Sequence, residues 1–270
     1  MPELPEVETT RRGIAPLITG KRVARLVVRN PRLRWRVPSR LARDLPGQTI
    51  DAVTRRAKYL LLTTRRGTVI IHLGMSGSLR VVDQTQPPQT HDHVDIVFDD
   101  GRCLRLRDPR RFGSVLWTED PANHPLLANI GPEPLERNFS AEYLYRASRH
   151  RKRAIRDFLL DGTVVAGIGN IYANEALFAA GIRPKRPAGR LSLPDCRRLV
   201  RTVRGTLARA VKAGGTTLRD FQNHEGEPGY FQFKLAVYGH AGKPCRRCGA
   251  TIRHIALGQR SAFYCPVCQL

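Results

Sequence analysis

Acidic residues are scarce in this sequence. The 270-residue chain contains 23 Asp and Glu against 46 Lys and Arg, so its formal net charge is +23 and its pI is ≈ 11.0. No Asp or Glu occurs after Glu227, and the segment 146–156 holds six Lys or Arg residues and no acid. Because solubility requires only a modest net charge, this imbalance predicts a polyanionic partner, and we expect nucleic acid. Such binding weakens steeply as the salt concentration rises.

Long apolar runs are also missing. No stretch approaches the roughly 18 residues that a membrane-spanning helix needs. The first residues carry neither the basic nor the apolar segment of a secretory signal. We therefore expect a cytoplasmic, nucleoid-associated protein with no membrane partner.

Cysteine is rare, and in a reducing compartment the six residues argue against a disulfide framework. Four of them form two C-x2-C pairs separated by sixteen residues: Cys245, Cys248, Cys265 and Cys268. This spacing predicts one structural zinc ion, since four thiolates leave no open coordination position. A redox dithiol is the alternative, but it needs only one pair. Cys103 and Cys196 are expected in the core.

The first half of the chain has the pattern of a β-sandwich or flattened barrel. Short apolar runs alternate with turns, and residues 92–107 predict a hairpin around Asp100-Gly101. An N-terminal helix is expected to precede the strands and to end at Gly20. The segment 121–140 contains four prolines and predicts a connection between domains, after which the pattern is helical. Ser140 is a candidate helix cap, and Ser192 with Asp195 predicts a capping box before a long helix.

The opening stretch MPELPEVETT concentrates acid where a basic chain should have little. Helix punctuation explains Pro5 and Glu8, because Pro suits the first helical turn and Glu suits the positive end of the helix dipole. It does not explain Pro2 and Glu3, which lie before the predicted helix.

Six motifs, in order, resemble bacterial formamidopyrimidine-DNA glycosylase, the base-excision enzyme for oxidised purines. They are PELPEVETTRRG, RRAKYLLL, IHLGMSGSL, DPRRFG, GIGNIYANEALF and GQRSAFYCPVCQ. The resemblance runs from Pro2 almost to the last residue. The sister family, endonuclease VIII, is similar in architecture but begins PEGPE and prefers oxidised pyrimidines. Leu4 favours the purine-directed branch.

The resemblance implies a catalytic role for four residues. Removal of Met1 would expose the amine of Pro2 as the nucleophile, with Glu3 as its acid/base partner. Glu6 would lie in the lesion pocket. Lys58 and Arg260 would assist β- and δ-elimination and hold the flanking phosphates. From the residues alone, Lys58 would be interpreted as a solvated lysine beside a strand.

The resemblance also implies a set of DNA contacts. Met75 and Phe112 would enter the gap left by the extracted base while Arg110 faces the orphaned cytosine; residue type alone favours core packing for the two apolar side chains. Further DNA-contacting positions are His91, Arg151 and Asn170. The loop 216–230 would close over the lesion. In this sequence Arg151 and Arg156 stand where the family often has lysine, which changes the hydrogen-bond geometry.

The expected fold is α+β with two domains. An N-terminal β-sandwich with flanking helices would span 1–131 and a linker 132–139. A helix-two-turn-helix domain would span 140–235, and a four-cysteine zinc-finger hairpin 236–270. The expected partner is damaged double-stranded DNA, bound by a monomer with no obligate protein partner. The alternatives are an endonuclease VIII-like pyrimidine glycosylase, a non-catalytic zinc-dependent DNA-binding protein and an RNA-binding zinc-ribbon protein.

Overall fold

The computed structural model of the chain describes residues 1–216 and 235–270. The described residues form two compact units. Unit 1 contains Met1–Ala128 and the stretch 213–216, and unit 2 contains Asn129–Lys212 and 235–270. The two units divide inside the proline-rich segment 121–140. The finer boundaries 1–131, 132–139, 140–235 and 236–270 remain predictions.

Unit 1 begins with helix α1, Leu4–Ile18. Glu3 is its N-cap and Pro5 lies in its first turn, where the missing N–H of proline is tolerated. Val7, Ile14 and Ile18 are buried along one face of the helix, and the chain leaves it at Thr19 and Gly20, which has φ +78°. The predicted helix and its stop are confirmed.

Two four-stranded antiparallel sheets make up the rest of unit 1, with orders β1-β6-β7-β5 and β2-β3-β4-β8. The strands are β1 Val23–Val28, β2 Ala52–Arg56, β3 Tyr59–Thr63, β4 Thr68–His72, β5 Ser78–Asp83, β6 Asp92–Phe98, β7 Arg102–Arg107 and β8 Ser114–Thr118. A short helix α2, Ser39–Asp44, follows β1. Strands of both sheets and α1 bury their apolar side chains in one cluster, as in a sandwich. The predicted hairpin is β6–β7, with Ile96 opposite Leu104.

Unit 2 is mainly helical. Its helices are α3 Ala141–Ser148, α4 Ile155–Leu159, α5 Asn170–Ala180 and α6 Leu193–Lys212, with a 3₁₀ turn at Ala188–Arg190. Ser140 accepts a hydrogen bond from the Tyr143 amide, and Ser192 and Asp195 form the predicted capping box before α6. Helix α5 ends at Gly181 in the left-handed conformation.

The C-terminal part of unit 2 is a two-stranded hairpin, β9 Arg253–Leu257 and β10 Arg260–Tyr264. Its apolar support is a cluster of five buried residues: Phe178, Val237, Cys245, Ile252 and Cys265. Among the residues that the structure describes, no helix combines the length and hydropathy that a membrane crossing requires.

Candidate active site and metal centre

Pro2 and Glu3, which the residue preferences of a helix start do not explain, lie directly before α1. Pro2 is buried and Glu3 is 3% exposed. The Glu3 amide donates to Glu6 Oε2 at 2.8 Å, which forms half of a capping box. Glu6 Oε1 accepts from the Thr216 amide at 2.7 Å. The carboxylate of Glu6 therefore ties the first turn of α1 to the last described residue of the stretch 213–216.

Glycine is required beside this carboxylate. Gly215 has φ +82°, and a Cβ there would lie 3.0 Å from Glu6 Oε1. Most of the lesion-capping loop assigned to 216–230 lies outside the described residues, since 217–234 are not described.

Glu8 anchors α1 through three arginines. Its carboxylate contacts Arg11 at 2.9 Å, Arg12 at 2.8 Å and Arg55 at 3.3 Å. Burial raises the pKa of Glu8, but hydrogen bonds from Arg11 and Arg12 outweigh it and hold this pKa at about 2. Glu8 stays ionised at neutral pH and keeps the helix fixed to β2.

Lys58 lies in the turn between β2 and β3, next to a histidine that the sequence analysis missed. His72 ends strand β4 and packs its ring 5.0 Å from that of Tyr59. Its Nδ1 accepts from the Gly74 amide at 3.0 Å, so the ring proton resides on Nε2. Burial, and then the charges of Lys58 and Arg34, lower the pKa of His72 to about 4. The imidazole is therefore a neutral N–H donor at neutral pH.

A signal for His72 was present in the sequence. A polar, titratable residue closes the otherwise apolar strand TVIIH directly before the LGMSG loop. Nothing in the spacing, however, places it beside Lys58.

Two exposed apolar side chains project from neighbouring loops of unit 1. Met75 is 38% exposed on the β4–β5 loop, and Phe112 is 45% exposed on the β7–β8 loop. The Arg110 guanidinium lies 5.0 Å from the Phe112 ring centre. Neither apolar side chain packs in the core, the position that residue type alone favours. His91 is exposed and has φ +76°.

A third loop borders this pair. The Arg34 amide donates to the Gly113 carbonyl at 3.0 Å. The Arg34 guanidinium lies 4.7 Å over the ring of Trp35, which is 37% exposed. Basic and aromatic side chains thus alternate on the surface next to Phe112.

In unit 2, Asn170 and Arg260 are joined through a buried arginine. Arg156 is completely buried and donates to Asn170 Oδ1 at 3.1 Å. Its other terminal nitrogen donates to the carbonyls of Leu257 at 2.7 Å and Arg260 at 3.2 Å. These carbonyls flank the hairpin turn, so one guanidinium holds both the turn and the start of α5. Arg260 begins β10, directly after the hairpin turn.

Arg151 belongs to a basic surface of unit 2. An open pocket of about 560 Å³ is lined by His150, Arg151, Lys152 and Arg153, among others. Asp161 is the acidic residue of this lining and pairs with Arg153 at 3.0 Å. This basic surface can bind an anion such as a phosphate.

The four C-terminal cysteines bring their sulfurs within 4.8 Å of one another. The Sγ atom of Cys248 lies 3.4 Å from that of Cys268 and 3.5 Å from that of Cys265; Cys245 and Cys268 are 3.9 Å apart. Tetrahedral zinc with Zn–S bonds of about 2.3 Å separates its sulfurs by about 3.8 Å. The donor set and its spacing fit one zinc ion. Cys103 and Cys196 are both buried, as expected.

Three family models match successive parts of the chain. Residues 1–115 match the formamidopyrimidine-DNA glycosylase N-terminal domain, and residues 130–222 match the formamidopyrimidine-DNA glycosylase H2TH domain. Residues 242–270 match a zinc finger found in FPG and IleRS. Together they cover the helices of unit 2, the hairpin and the sandwich as far as the start of β8.

Curated proteins are similar over the full length. Formamidopyrimidine-DNA glycosylase of Thioalkalivibrio sulfidiphilus is 57% identical, and that of Stutzerimonas stutzeri is 56% identical; in both cases 100% of each chain is covered.

Solved structures agree in fold. The MutM (FPG) protein of Thermus thermophilus is 40% identical with a TM-score of 0.89, covering 99% of this chain and 98% of that one. The Lactococcus lactis Fpg in a complex with DNA containing an abasic site is 34% identical with a TM-score of 0.91, covering 99% of both chains. The chain belongs to the formamidopyrimidine-DNA glycosylase family.

Proposed function

We propose that this protein is a bifunctional DNA glycosylase and abasic-site lyase of base excision repair that removes oxidised purines from duplex DNA. The observation that carries the proposal is the burial of Pro2 and Glu3 together at the start of α1, in a chain of this family. The net charge of +23 favours a polyanionic partner. The protein acts as a monomer in the cytoplasm, on the nucleoid.

Pro2 supplies the nucleophile once Met1 has been removed. An α-amine is the least basic ordinary amine of a protein, so part of it is unprotonated near neutral pH. Its nitrogen attacks C1′ of the damaged nucleotide, and the bond from C1′ to the base breaks with its electron pair leaving on the base. The amine loses its proton, which leaves an aminal with the sugar ring still closed. The C1′–O4′ bond then breaks, O4′ takes up a proton, and the nitrogen lone pair forms the iminium between Pro2 and the open sugar.

Glu3 moves protons in these steps. Expulsion of the base and opening of the sugar ring need a proton at nitrogen or oxygen, which a positioned carboxyl provides. Glu6 holds the Glu3 amide and lines the lesion pocket. This arrangement fixes the acid/base group one residue from the amine.

Strand cleavage follows from the iminium. Loss of a C2′ proton expels the 3′ phosphate, and a further elimination expels the 5′ phosphate; water then releases the amine. Lys58 and Arg260 hold the phosphates beside the lesion and assist the eliminations. His72, with its neutral Nε2–H, adds a donor near Lys58.

Base extraction uses the exposed surface of unit 1. Met75 and Phe112 fill the vacated stack and Arg110 contacts the orphaned cytosine. His91, Arg151 and Asn170 make further contacts with the DNA. The zinc ion held by the four cysteines stabilises the hairpin that carries Arg260, and takes no part in the chemistry because its ligands are all thiolates.

The test is borohydride trapping on three duplexes, carrying 8-oxoguanine, a formamidopyrimidine or an oxidised pyrimidine. Protein with Met1 removed, as checked by mass spectrometry, should form a covalent adduct with both purine lesions. Protein that retains Met1 should form none, because its Pro2 nitrogen is an amide. Absence of any adduct, or an adduct that survives retention of Met1, would refute the mechanism.

Matched carboxylate variants separate chemistry from folding. Glu3→Gln should lose base excision, whereas Glu142→Gln, an exposed position on α3, should behave as the parent. An adduct formed mainly with the oxidised pyrimidine would instead favour the endonuclease VIII-like alternative.

A further inference from the structure

A buried carboxylate, Asp108, lies at the root of the loop that carries Arg110 and Phe112. It is 0% exposed, directly after strand β7. The donors that the described part of the chain offers to its side chain are a hydroxyl and backbone amides, all neutral. A carboxylate removed from water is unfavourable unless its oxygens are hydrogen-bonded. The segments that supply these donors are therefore held in place by Asp108.

The carboxylate of Asp108 connects two loops. Oδ2 accepts from the Gly113 amide at 2.7 Å, and Oδ1 accepts from the Arg110 amide at 3.3 Å. Both donors belong to its own loop and bracket Phe112. Oδ1 also accepts from the Ser76 hydroxyl at 3.0 Å. Ser76 follows Met75, so the second loop is attached next to its exposed methionine.

The backbone of Asp108 connects a third segment. Its amide donates to the carbonyl of His91 at 3.0 Å, and its carbonyl lies 2.9 Å from His93 Nε2. His91 has φ +76° and Arg111 has φ +56°, conformations that are unfavourable for residues other than glycine. Such conformations persist only where surrounding contacts impose them.

The two exposed loops also touch backbone to backbone. A Cβ on Gly74 would lie 2.4 Å from the Phe112 carbonyl carbon, and a Cβ on Gly113 would lie 2.9 Å from Asp108 Oδ2. A displacement of either loop is therefore transmitted to the other. Asp108 is the side chain that bonds to both.

We propose that Asp108 is a positioning residue for base extraction, which holds the segments bearing Met75, Arg110, Phe112 and His91 in one fixed arrangement. It contacts no substrate and acts through those side chains. The inference rests on the proposed function, in which Met75 and Phe112 fill the vacated stack, Arg110 contacts the orphaned cytosine and His91 contacts the DNA.

The variant Asp108→Asn probes this role with almost no change in volume. In either amide orientation the NH₂ group faces a backbone N–H, of Gly113 when it replaces Oδ2 and of Arg110 when it replaces Oδ1. Two donors cannot bond to each other, so one loop must move. Ser76→Ala is a milder variant, since it removes one donor only.

Ser114 provides the matched control. It is 0% exposed, directly follows Gly113, and its hydroxyl has no hydrogen-bond partner in the described structure. Ser114→Ala removes a hydroxyl of the same kind from the same region without touching Asp108.

The experiment measures single-turnover excision of 8-oxoguanine from two duplexes. In one the lesion is paired with cytosine; in the other the opposite nucleotide is missing, so extraction needs little displacement of a partner. D108N should slow excision on the order of 100-fold in the paired duplex and less than about fivefold in the gapped one. S76A should slow excision roughly tenfold in the paired duplex and leave it unchanged in the gapped one. S114A should change the rate in neither duplex.

Two further results complete the test. In a background with Met75→Ala and Phe112→Ala, D108N should slow excision by a smaller factor than in the parent, because the two side chains that fill the vacated stack are gone and only Arg110 and His91 remain for Asp108 to position. Equal losses on both duplexes, or no loss on the paired one, would overturn the proposal. If D108N does not fold, the comparison of S76A with S114A decides. A parent protein inactive on both duplexes would refute the proposed function instead.

Discussion

Asp108 in unit 1 and Arg156 in unit 2 are both completely buried, and their charges are opposite. Asp108 collects N–H and O–H donors from two loops, whereas Arg156 collects carbonyl oxygens from a hairpin turn. Each charge organises irregular backbone that carries proposed DNA contacts. Buried charges of either sign can serve this purpose if their polar atoms are hydrogen-bonded or paired with an opposite charge, as Arg156 Nε is with Asp157 Oδ1 at 3.1 Å.

The surroundings of the two charges differ. The loops around Asp108 rest on a sandwich whose apolar cluster contains side chains of both sheets. The hairpin near Arg156 rests on a cluster of five buried residues, two of which, Cys245 and Cys265, also belong to the four-cysteine site. We infer that Asp108 determines loop geometry in a fold that is already stable. Arg156 and the zinc ion, by contrast, stabilise the folded hairpin, which would be unfolded without them. The following experiments test this difference.

Zinc removal should have the largest effect and should be confined to the hairpin. Structural zinc contributes on the order of 10 kcal/mol to the folding of such small modules. Cys265→Ala should therefore lose zinc, the ordered hairpin and DNA cleavage, while amide exchange in the sheets of unit 1 stays slow. Cys103→Ala is the control, since Cys103 is equally buried but lies in β7. Loss of zinc without loss of hairpin protection would contradict the comparison.

Replacement of Arg156 by Met should be the next most damaging change. It leaves the carbonyls of Leu257 and Arg260 without their buried donor, and we expect the free energy of unfolding of unit 2 to fall by about 3 kcal/mol. Arg156→Lys should be intermediate, because an ammonium lacks the planar fork of the guanidinium. Hydrogen exchange of β9 and β10 measures both variants. If the amides of β9 and β10 exchanged as slowly in Arg156→Lys as in the parent, the planar guanidinium would not be required at this position.

Asp108→Asn should lower the free energy of unfolding of unit 1 by only about 2 kcal/mol. Chemical denaturation, followed by signals of the sheets, measures this value. A stability loss larger than that of Arg156→Met would mean that Asp108 supports the sandwich as a whole.

His72 should give the smallest effect, visible as a dependence on pH. Burial, Lys58 and Arg34 place its pKa at about 4 in the folded protein, below the ordinary 6.5. As the pH falls, His72 therefore takes up a proton in the unfolded chain before it does so in the folded protein. The free energy of unfolding decreases as the pH falls from 6.5 towards 4. From about pH 7 to about pH 5.5 the loss should be about 1 kcal/mol. His72→Gln should lack this component; an unchanged slope in that variant would exclude His72 as its source.

The sequence predicted what depends on local spacing. The cysteine pairs, the β6–β7 hairpin and the caps at Ser140 and Ser192 involve residues close together in the chain, and all are confirmed. The family resemblance supplied the fold and the candidate residues, whose individual roles remain predictions.

What the sequence did not predict depends on distant partners. Ser76 and Asp108 are 32 residues apart, and Arg156 and Leu257 are 101 apart. No periodicity relates such positions, so the roles of both buried charges emerge only from the fold. Residue type alone also gave the wrong position for Met75 and Phe112, which are exposed, whereas the family resemblance implied side chains free to enter the DNA.

The contact of Arg34 with Gly113 has a consequence for spectroscopy. The chain has two tryptophans, and Trp35 adjoins the residue whose amide is bonded to the loop of Phe112. Its indole is partly exposed beneath a guanidinium, so its emission is sensitive to small changes of environment. With Trp117 replaced by Phe, the protein would carry a single tryptophan, at the edge of this loop, and its emission can be excited separately from that of the seven tyrosines. Loop movement during DNA binding could then be timed by stopped flow without any attached dye.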